Sequence, residues 1–350
     1  MEEKRNTPDL LDLLTCPGFC VKENIITRCN TAAGSMVAPG TDILPLLATG
    51  REEYLAFAGG ILYLTLSLSG SAVGASVVHW EDGLLFLLED YPQQRELRTL
   101  SLAAQQMRLP LHNVMSAASV ISQSNPEAAD SVARLNRGLN QLLRMVGNMA
   151  DAGHYHLAFP ETRNITAVLD SAFRSASDLA EQAGYCIRYQ GLTEEIYGTI
   201  DAQQLERAIF NILSNAMKYT PKTGRIEAEA VRVGATIRIS IRDTGEGIPD
   251  DILGSIFHRY QRQPAAEDFR RGVGLGMVIV RTAAASHGGT VLVDRPPEGG
   301  TRVTFTLTIR QNTDNTLRSC RLLVDYAGEW DHSLVELSDA LPAELYQKNL

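Results

Sequence analysis

The chain is poor in the features that mark disulfide-bonded or nucleic-acid-binding proteins. Its 350 residues include only five cysteines, an odd number, and they form no Cys-x-x-Cys pair. This usage favours reduced thiols in a cytosol. The net charge is -9 and charged residues make up 21% of the chain, so no basic surface for nucleic acid or an anionic membrane is expected.

Export and membrane signals are lacking as well. The N-terminus, Met-Glu-Glu-Lys-Arg-Asn, has no apolar core, which argues against a secretory signal. The stretch 54–78 carries no charge and is long enough to span a bilayer, but its leucines at 62, 64, 66 and 68 alternate with other residues. A period of two predicts a half-buried strand. We therefore predict a cytoplasmic protein without a membrane span.

A chain of this length predicts two or three domains. Residues 1–92 indicate a small α+β unit, with strands near 18–21, 25–27, 61–69, 73–79 and 84–89. This layout of a strand pair, small helices and a three-stranded meander resembles a PAS sensor domain; the alternative is an α+β domain of another kind. Residues 311–350 form a tail without a recognisable motif, and neither its role nor the signal sensed by the first unit follows from the sequence.

Residues 93–155 show the repeat of a helical hairpin. Apolar residues are spaced alternately by three and four, which is a heptad seam. Pro126 follows Asn125 at a helix-start signal, where the seam is interrupted. Two antiparallel helices cannot bury both seams alone, so we predict a homodimer with a four-helix bundle. The alternative is packing of the hairpin on other parts of its own chain. The seam positions are 97, 100, 104, 107, 111, 114, 118, 121, 132, 135, 139, 142, 146 and 149.

Residues 156–310 contain three segments that together indicate a nucleotide site. They are 211–219 on a helix begun by Asp201 and Gln204 as a capping box, 243–249 after a strand, and 272–276 before a helix at 277–284. Alternating strands are predicted at 226–232, 236–242 and 303–309, which favours helices layered on a mixed sheet. Each segment alone is typical of an ordinary turn or a solvated helix face, but all three in this order are not.

The residue types in these segments suit a nucleotide and its metal. Asn211 and Asn215 are four residues apart, so both amides lie on one helix face, and amide oxygens are suitable Mg²⁺ ligands. Lys218 and Tyr219 follow one turn later, where an ammonium can reach a phosphate and a ring can lie near a base. Asp243 can accept a hydrogen bond from an exocyclic amine. Flexible backbone and helix-terminal amides come from Gly245, Gly247, Gly272, Gly274 and Gly276.

These residues resemble the catalytic ATPase domain of bacterial sensor histidine kinases, which has the Bergerat fold, an α/β sandwich. Residues 211–219 look like the N box, 243–249 and 272–276 like the two glycine boxes, and 256–260 like the F box. The resemblance implies that Asn215, supported by Asn211, binds Mg²⁺ and that Asp243 binds the adenine amine. It implies a wider ATP-contacting set of Lys218, Tyr219, Gly245, Gly247, Ile248, Gly272, Gly274, Leu275 and Gly276, with Arg259, Arg262, Arg270 and Arg271 as lid candidates.

The hairpin resembles the dimerisation and phosphoacceptor domain of the same kinases, but its motif is altered. Gln105 stands at the position of the phosphorylated histidine, Gln106 at that of the activating acid, and Leu109 at that of the Thr or Asn. A glutamine amide cannot accept a phosphoryl group, because its nitrogen lone pair is delocalised. His112 occupies the same heptad position as Gln105 two turns later, about 10 Å away, and is the alternative acceptor; an ordinary surface histidine is the other interpretation.

Three functional hypotheses follow. One is a histidine-kinase-like signalling protein that binds MgATP and phosphorylates His112 or a histidine of another chain. The second is a non-catalytic, ATP-gated regulator of a partner kinase or response regulator. The third, an ATPase or protein-serine kinase of the same fold, has no need of the long hairpin.

Overall fold

The computed structural model describes residues 11, 14, 16–89, 93–124, 126–151, 161–249, 253, 256–257, 275–310 and 331–347. Within its helices, the side chains of 93–102, 105, 109, 122–123, 126 and 151 lie outside the description. The architecture is mixed α+β, as the sequence predicted. No helix within the described ranges combines the length and apolar character needed to cross a bilayer.

The N-terminal unit is a five-stranded antiparallel sheet. Two short 3-10 helices, Ala33–Ser35 and Leu44–Leu46, and the helix α1 (Arg51–Leu55) lie between its second and third strands. The spatial order is β2-β1-β5-β4-β3, so the first hairpin pairs with the end of the meander. All five strands lie within two residues of the predicted bounds: β1 (Gly18–Lys22), β2 (Ile25–Cys29), β3 (Ile61–Leu68), β4 (Ser71–Trp80) and β5 (Gly83–Leu88).

The hairpin consists of α2 (Gln93–Ser124), a 3-10 turn at Pro126–Ala128 and α3 (Ala129–Asp151). Its heptad seam divides into two halves. Ala104, Leu111 and Ala118 of α2 pack inward, as do Val132, Leu139 and Val146 of α3. The intervening seam residues remain exposed: Met107, Val114, Ile121, Leu135 and Leu142. One chain therefore buries only half of its seam.

The third unit packs four described helices with a mixed sheet around one apolar core. This core includes the Ile237, Ile239 and Ile241 row that the alternating pattern predicted. Its sequence order is β6 (Glu161–Asn164), α4 (Ile165–Gln182), β7 (Ile187–Gln190), β8 (Tyr197–Ile200), α5 (Ala202–Tyr219), β9 (Ile226–Val233), β10 (Thr236–Asp243), α6 (Gly276–Ser286), β11 (Val291–Asp294) and β12 (Arg302–Thr308). The helix α7 (His332–Leu337) and a 3-10 turn at Ala343–Tyr346 follow.

The first and third units share one ten-stranded sheet. β3 pairs antiparallel with β11, with Tyr63 opposite Val291 and Ile61 opposite Val293. Ile61 and Tyr63 belong to the core of the third unit, whereas Leu62 and the following even-numbered leucines belong to the core of the first. The prediction of a half-buried strand was therefore wrong for the first half of β3, because the third unit covers its second face.

The start of α5 differs in detail from the predicted capping box. Asp201 caps the helix by accepting a hydrogen bond from the backbone N–H of Gln204 at 3.1 Å. Gln204 does not return the bond; its Oε1 accepts from Ser286 instead. The Asp201 N–H donates to Nε2 of His287 at 3.1 Å, and Nδ1 of His287 contacts the Ala283 carbonyl. The imidazole is thus neutral and joins the ends of α5 and α6.

We expect His287 to make the fold sensitive to acid. Burial lowers the pKa of His287 below its ordinary value, so the unfolded chain binds the proton more readily than the folded one. Its contribution to stability is present above the unfolded value of about 6.5 and is lost as pH falls below it, with a slope of up to about 1.4 kcal/mol per pH unit. Urea unfolding between pH 7.5 and 5 should show this slope, and His287→Gln should flatten it. An unchanged slope in the variant would contradict the assignment.

Candidate functional site

The helix α5, the end of β10 and the start of α6 meet at one place. A Cβ atom added to Gly276 would lie 3.1 Å from Oδ1 of Asn211 and 3.8 Å from Nδ2 of Asn215. A Cβ added to Gly245 would lie 2.4 Å from the carbonyl oxygen of Tyr219. The three predicted segments are therefore neighbours in space. Outside the described residues lie Gly272, Gly274, Arg259, Arg262, Arg270 and Arg271.

Asp243 is the buried acid of this site. Its Oδ1 accepts hydrogen bonds from the backbone N–H groups of Gly245 at 2.8 Å and Thr301 at 3.3 Å. Burial raises the pKa of this carboxyl above its ordinary value. Both hydrogen bonds end on the same oxygen, and no described donor binds Oδ2. The predicted hydrogen bond from a ligand amine would therefore have to reach Oδ2, and this role of Asp243 stays a prediction.

Two glycines with left-handed backbone shape the surroundings of Asp243. Gly247 has φ +77° and Gly300 has φ +81°. A Cβ on Gly300 would come within 1.9 Å of the Asp243 carbonyl oxygen, so this position tolerates only glycine. The sequence analysis identified Gly247 but not Gly300, which lies in a Pro-Glu-Gly-Gly turn far from the three segments. Ile248 packs against the main core.

Asn215 and Tyr219 are open to a ligand. Asn215 is partly buried, and its amide makes no hydrogen bond to the described residues. A neutral oxygen in this position, next to the first turn of α6, fits the chemistry of an Mg²⁺ carrying phosphates. The ring of Tyr219 is about half exposed. These positions agree with the roles that the sequence predicted, and the roles themselves stay predictions.

The side chains of Asn211 and Lys218 already have hydrogen-bond partners within the chain. The Asn211 side chain is fully buried; its Oδ1 accepts from Nη2 of Arg144 at 2.9 Å and its Nδ2 donates to the Arg207 carbonyl at 2.8 Å. Nζ of Lys218 donates to Oδ2 of Asp339 at 2.7 Å. The predicted metal and phosphate roles of these two residues must therefore operate beside existing partners from the hairpin and the C-terminal segment.

A buried ionic network underlies these contacts. Glu336 is completely buried, and its two oxygens lie 2.9 Å from Nε of Arg207 and 3.4 Å from Nε of Arg144. Arg144 also contacts Asp339 at 2.8 Å. The sequence analysis missed this network. A signal was present in α5, because Arg207 interrupts an apolar stretch and begins a polar row at helical spacing that continues through Asn211, Ser214 and Lys218.

The N-terminal unit and the hairpin each contact one of the segments that the sequence linked to ATP binding. Phe257 of the predicted F box is fully buried, and its ring centroid lies 5.9 Å from that of Tyr63 in β3. Leu275 packs with Val278 of its own helix and with Met149 of α3. The N-terminal sheet therefore contacts Phe257, and the hairpin contacts Leu275 at the start of α6.

The altered motif of the hairpin lies on α2. Gln106 is exposed, while the side chains of Gln105 and Leu109 lie outside the described residues. His112 is partly buried, and its Nδ1 lies 2.8 Å from the Arg108 carbonyl oxygen. Because a carbonyl only accepts, Nδ1 donates this hydrogen bond, and in the neutral imidazole Nε2 carries the lone pair.

Comparisons with known proteins agree with this geometry. Residues 200–311 match the family model described as histidine kinase-, DNA gyrase B- and HSP90-like ATPase. Sensor protein IrlS of Burkholderia pseudomallei is 33% identical over 214 residues, which cover 58% of this chain and 45% of that protein. Sensor histidine kinase CusS of Escherichia coli K12 is 29% identical over 213 residues, covering 58% and 44%. The chain thus spans less than half the length of these relatives.

A solved structure is similar as well. The crystal structure of full-length ShkA in complex with AMPPNP aligns at 23% identity and a TM-score of 0.49, covering 63% of this chain and 46% of that one.

The buried network makes a stability prediction that involves no ligand. Glu336→Gln removes the charge that compensates Arg207 and Arg144, so two guanidinium groups remain buried with too little negative charge. We expect a loss of about 3–5 kcal/mol in the free energy of unfolding, measured by urea denaturation. Glu344→Gln, an exposed position in the same segment, should change it by less than about 0.5 kcal/mol. Equal effects of the two variants would refute the network's contribution.

Proposed function

We propose that the chain belongs to the sensor histidine kinase family and that it binds MgATP where α5, the end of β10 and the start of α6 meet. The observation that carries the proposal is Asp243, a buried carboxylate that keeps one oxygen available beside two close-packed glycine turns. A buried charge of this kind is costly unless a ligand or a reaction uses it.

Each part of the nucleotide has a suitable partner in this chain. Oδ2 of Asp243 would accept from the adenine amine, with Gly245, Gly247 and Ile248 beside the base. Asn215 would bind Mg²⁺, with Asn211 supporting it. The amides at Gly276 begin a helix and suit the phosphates, as does the charge of Lys218. When bound, ATP supplies a phosphoryl group that can be transferred.

The exposed half of the heptad seam supports a homodimer. Met107, Val114 and Ile121 repeat every seven residues along α2, and all three are about half exposed. Leu135 and Leu142 continue the row on α3. A second hairpin would cover this row and complete a four-helix bundle. The covered bundle would also present the surface that a response regulator or a partner kinase could recognise.

The residues of the hairpin argue against phosphoryl transfer. Phosphoryl transfer requires a positioned nucleophile as well as bound ATP, and Gln105 cannot serve as one. We therefore propose that the chain acts in two-component-type signalling as an ATP-gated regulator, with the PAS-like N-terminal unit as its sensor.

His112 carries the second candidate function, autophosphorylation at a shifted position. Its hydrogen bond to the Arg108 carbonyl places the lone pair on Nε2, which is the protonation state that a nucleophilic imidazole needs. This candidate differs from the first only in whether a phosphoprotein forms.

Nucleotide binding is tested by Asp243→Asn. The backbone N–H groups of Gly245 and Thr301 require an oxygen, so the new Nδ2 would take the place of Oδ2 and a donor would face the adenine amine. We expect ATP affinity to fall by roughly tenfold to a hundredfold, measured by isothermal titration. Glu246→Gln, an exposed change in the same loop, should leave affinity unchanged. Absence of ATP binding by the unmodified chain would remove the proposal.

Phosphotransfer is tested with labelled ATP. We expect no acid-labile phosphoprotein from the unmodified chain, whereas the double variant Gln105→His and Gln106→Glu should gain label, since it restores a nucleophile and a base. Label in the unmodified chain that vanishes in His112→Ala would establish the second candidate instead. Label that survives acid would point to a serine kinase.

A further inference from the structure

The C-terminal strap, residues 331–347, is docked between the hairpin and the third unit of the fold, which we call the ATPase domain. Asp331 caps α7, and Leu334, Leu337 and Tyr346 are buried in the core of the ATPase domain. Val335 points to the other side, into an apolar cluster formed by the hairpin helices. The strap thus contributes side chains both to the core of the ATPase domain and to the apolar cluster of the hairpin.

Polar side chains of α3 fix the strap in one register. Arg137 donates to the carbonyl oxygens of Ser338 and Asp339 at 3.2 and 3.3 Å. Asn136 donates to the Tyr346 carbonyl at 3.1 Å. These bonds hold the backbone on both sides of the turn at Asp339, so that its side chain reaches α5.

Asp339 neutralises the cation that the nucleotide phosphates would use. Its Oδ2 lies 2.7 Å from Nζ of Lys218 and 2.8 Å from Nη1 of Arg144. Burial alone would raise the pKa of Asp339, but the charges of Arg144 and Lys218 outweigh it and hold the pKa below its ordinary value. The residue is therefore an anion at neutral pH.

Carboxylate and phosphate oxygens are equivalent partners for an ammonium group. A docked Asp339 lowers the affinity of a polyphosphate in two ways: it occupies Lys218, and it adds a fixed negative charge near the phosphates in a partly buried setting.

We propose that the C-terminal strap is a built-in competitor of the nucleotide, in which Asp339 takes the place of a phosphate on Lys218. This inference rests on the MgATP site proposed above. Because coupling between two ligands of one site is reciprocal, MgATP must weaken strap docking by the same factor by which the strap weakens MgATP. Since the strap also binds α3, nucleotide binding loosens the contact between the hairpin and the ATPase domain.

The inference is tested by nucleotide titration of Asp339→Asn in the full chain. The substitution keeps the shape of the side chain and removes its charge, so MgATP affinity should rise about tenfold. Adenosine, which has no phosphates, should bind both proteins equally. Glu344→Gln removes an exposed charge from the same strap and should leave MgATP affinity unchanged.

Each outcome separates this inference from the proposal on which it rests. Equal MgATP affinity of Asp339→Asn and the unmodified chain overturns the competitor role alone. Absence of nucleotide binding by both overturns the MgATP site and the competitor with it. A parallel measurement needs no variant: amide hydrogen exchange of residues 333–346 in the unmodified chain should increase with MgATP and stay constant with adenosine. Protection by MgATP would contradict the inference.

Discussion

The antiparallel pairing of β3 with β11 is the contact on which the arrangement of the molecule depends. It joins the sheet of the N-terminal unit to the sheet of the ATPase domain through backbone hydrogen bonds. Gly60 permits the approach, since a Cβ there would lie 2.1 Å from the Val293 carbonyl oxygen. A shared sheet resists relative motion far more than an interface of side chains, because sliding by one residue would reverse the facing of every side chain.

Four side chains add contacts at this junction between the two sheets. Tyr63 of β3 packs on Phe257, and Arg281 of α6 lies over the Tyr63 ring, 5.4 Å from its centroid. Arg281 is also 2.6 Å from Glu89, which lies at the end of β5 shortly before the hairpin begins. The N-terminal sheet therefore contacts both α6 and the buried Phe257.

Much of this fold was predictable from local patterns. A period of two located β3, β9, β10 and β12, and the seam spacing located both hairpin helices, because burial on one side leaves a periodic trace. Asp243, Asn215 and Gly276 were predictable because they lie in the three segments that resemble the boxes of a known ATPase domain. Their roles remain predictions, whereas their proximity is a property of the structure.

The parts that escaped prediction involve partners distant in the chain. Glu336 lies 129 residues from Arg207, and no local pattern marks a tail carboxylate as the partner of a helix arginine. Tyr63 lies on the face of β3 opposite the leucines, which the alternation predicted to be exposed. Its burial is explained only by the pairing of β3 with β11. Lys218 was predicted as a phosphate contact, and the sequence does not disclose that Asp339 is folded back onto it.

The shared sheet also has a meaning for how the chain can be divided. A fragment that began at β6 would contain every predicted nucleotide contact, yet it would expose the outer edge of β11, where backbone N–H and C=O groups lose the partners supplied by β3. Unprotected edges of this kind attract strands from other molecules. The same fragment would also uncover Phe257 where Tyr63 had packed. The unit that carries the predicted nucleotide contacts is therefore not self-contained, and the strand partner of β11 comes from residues more than two hundred positions earlier.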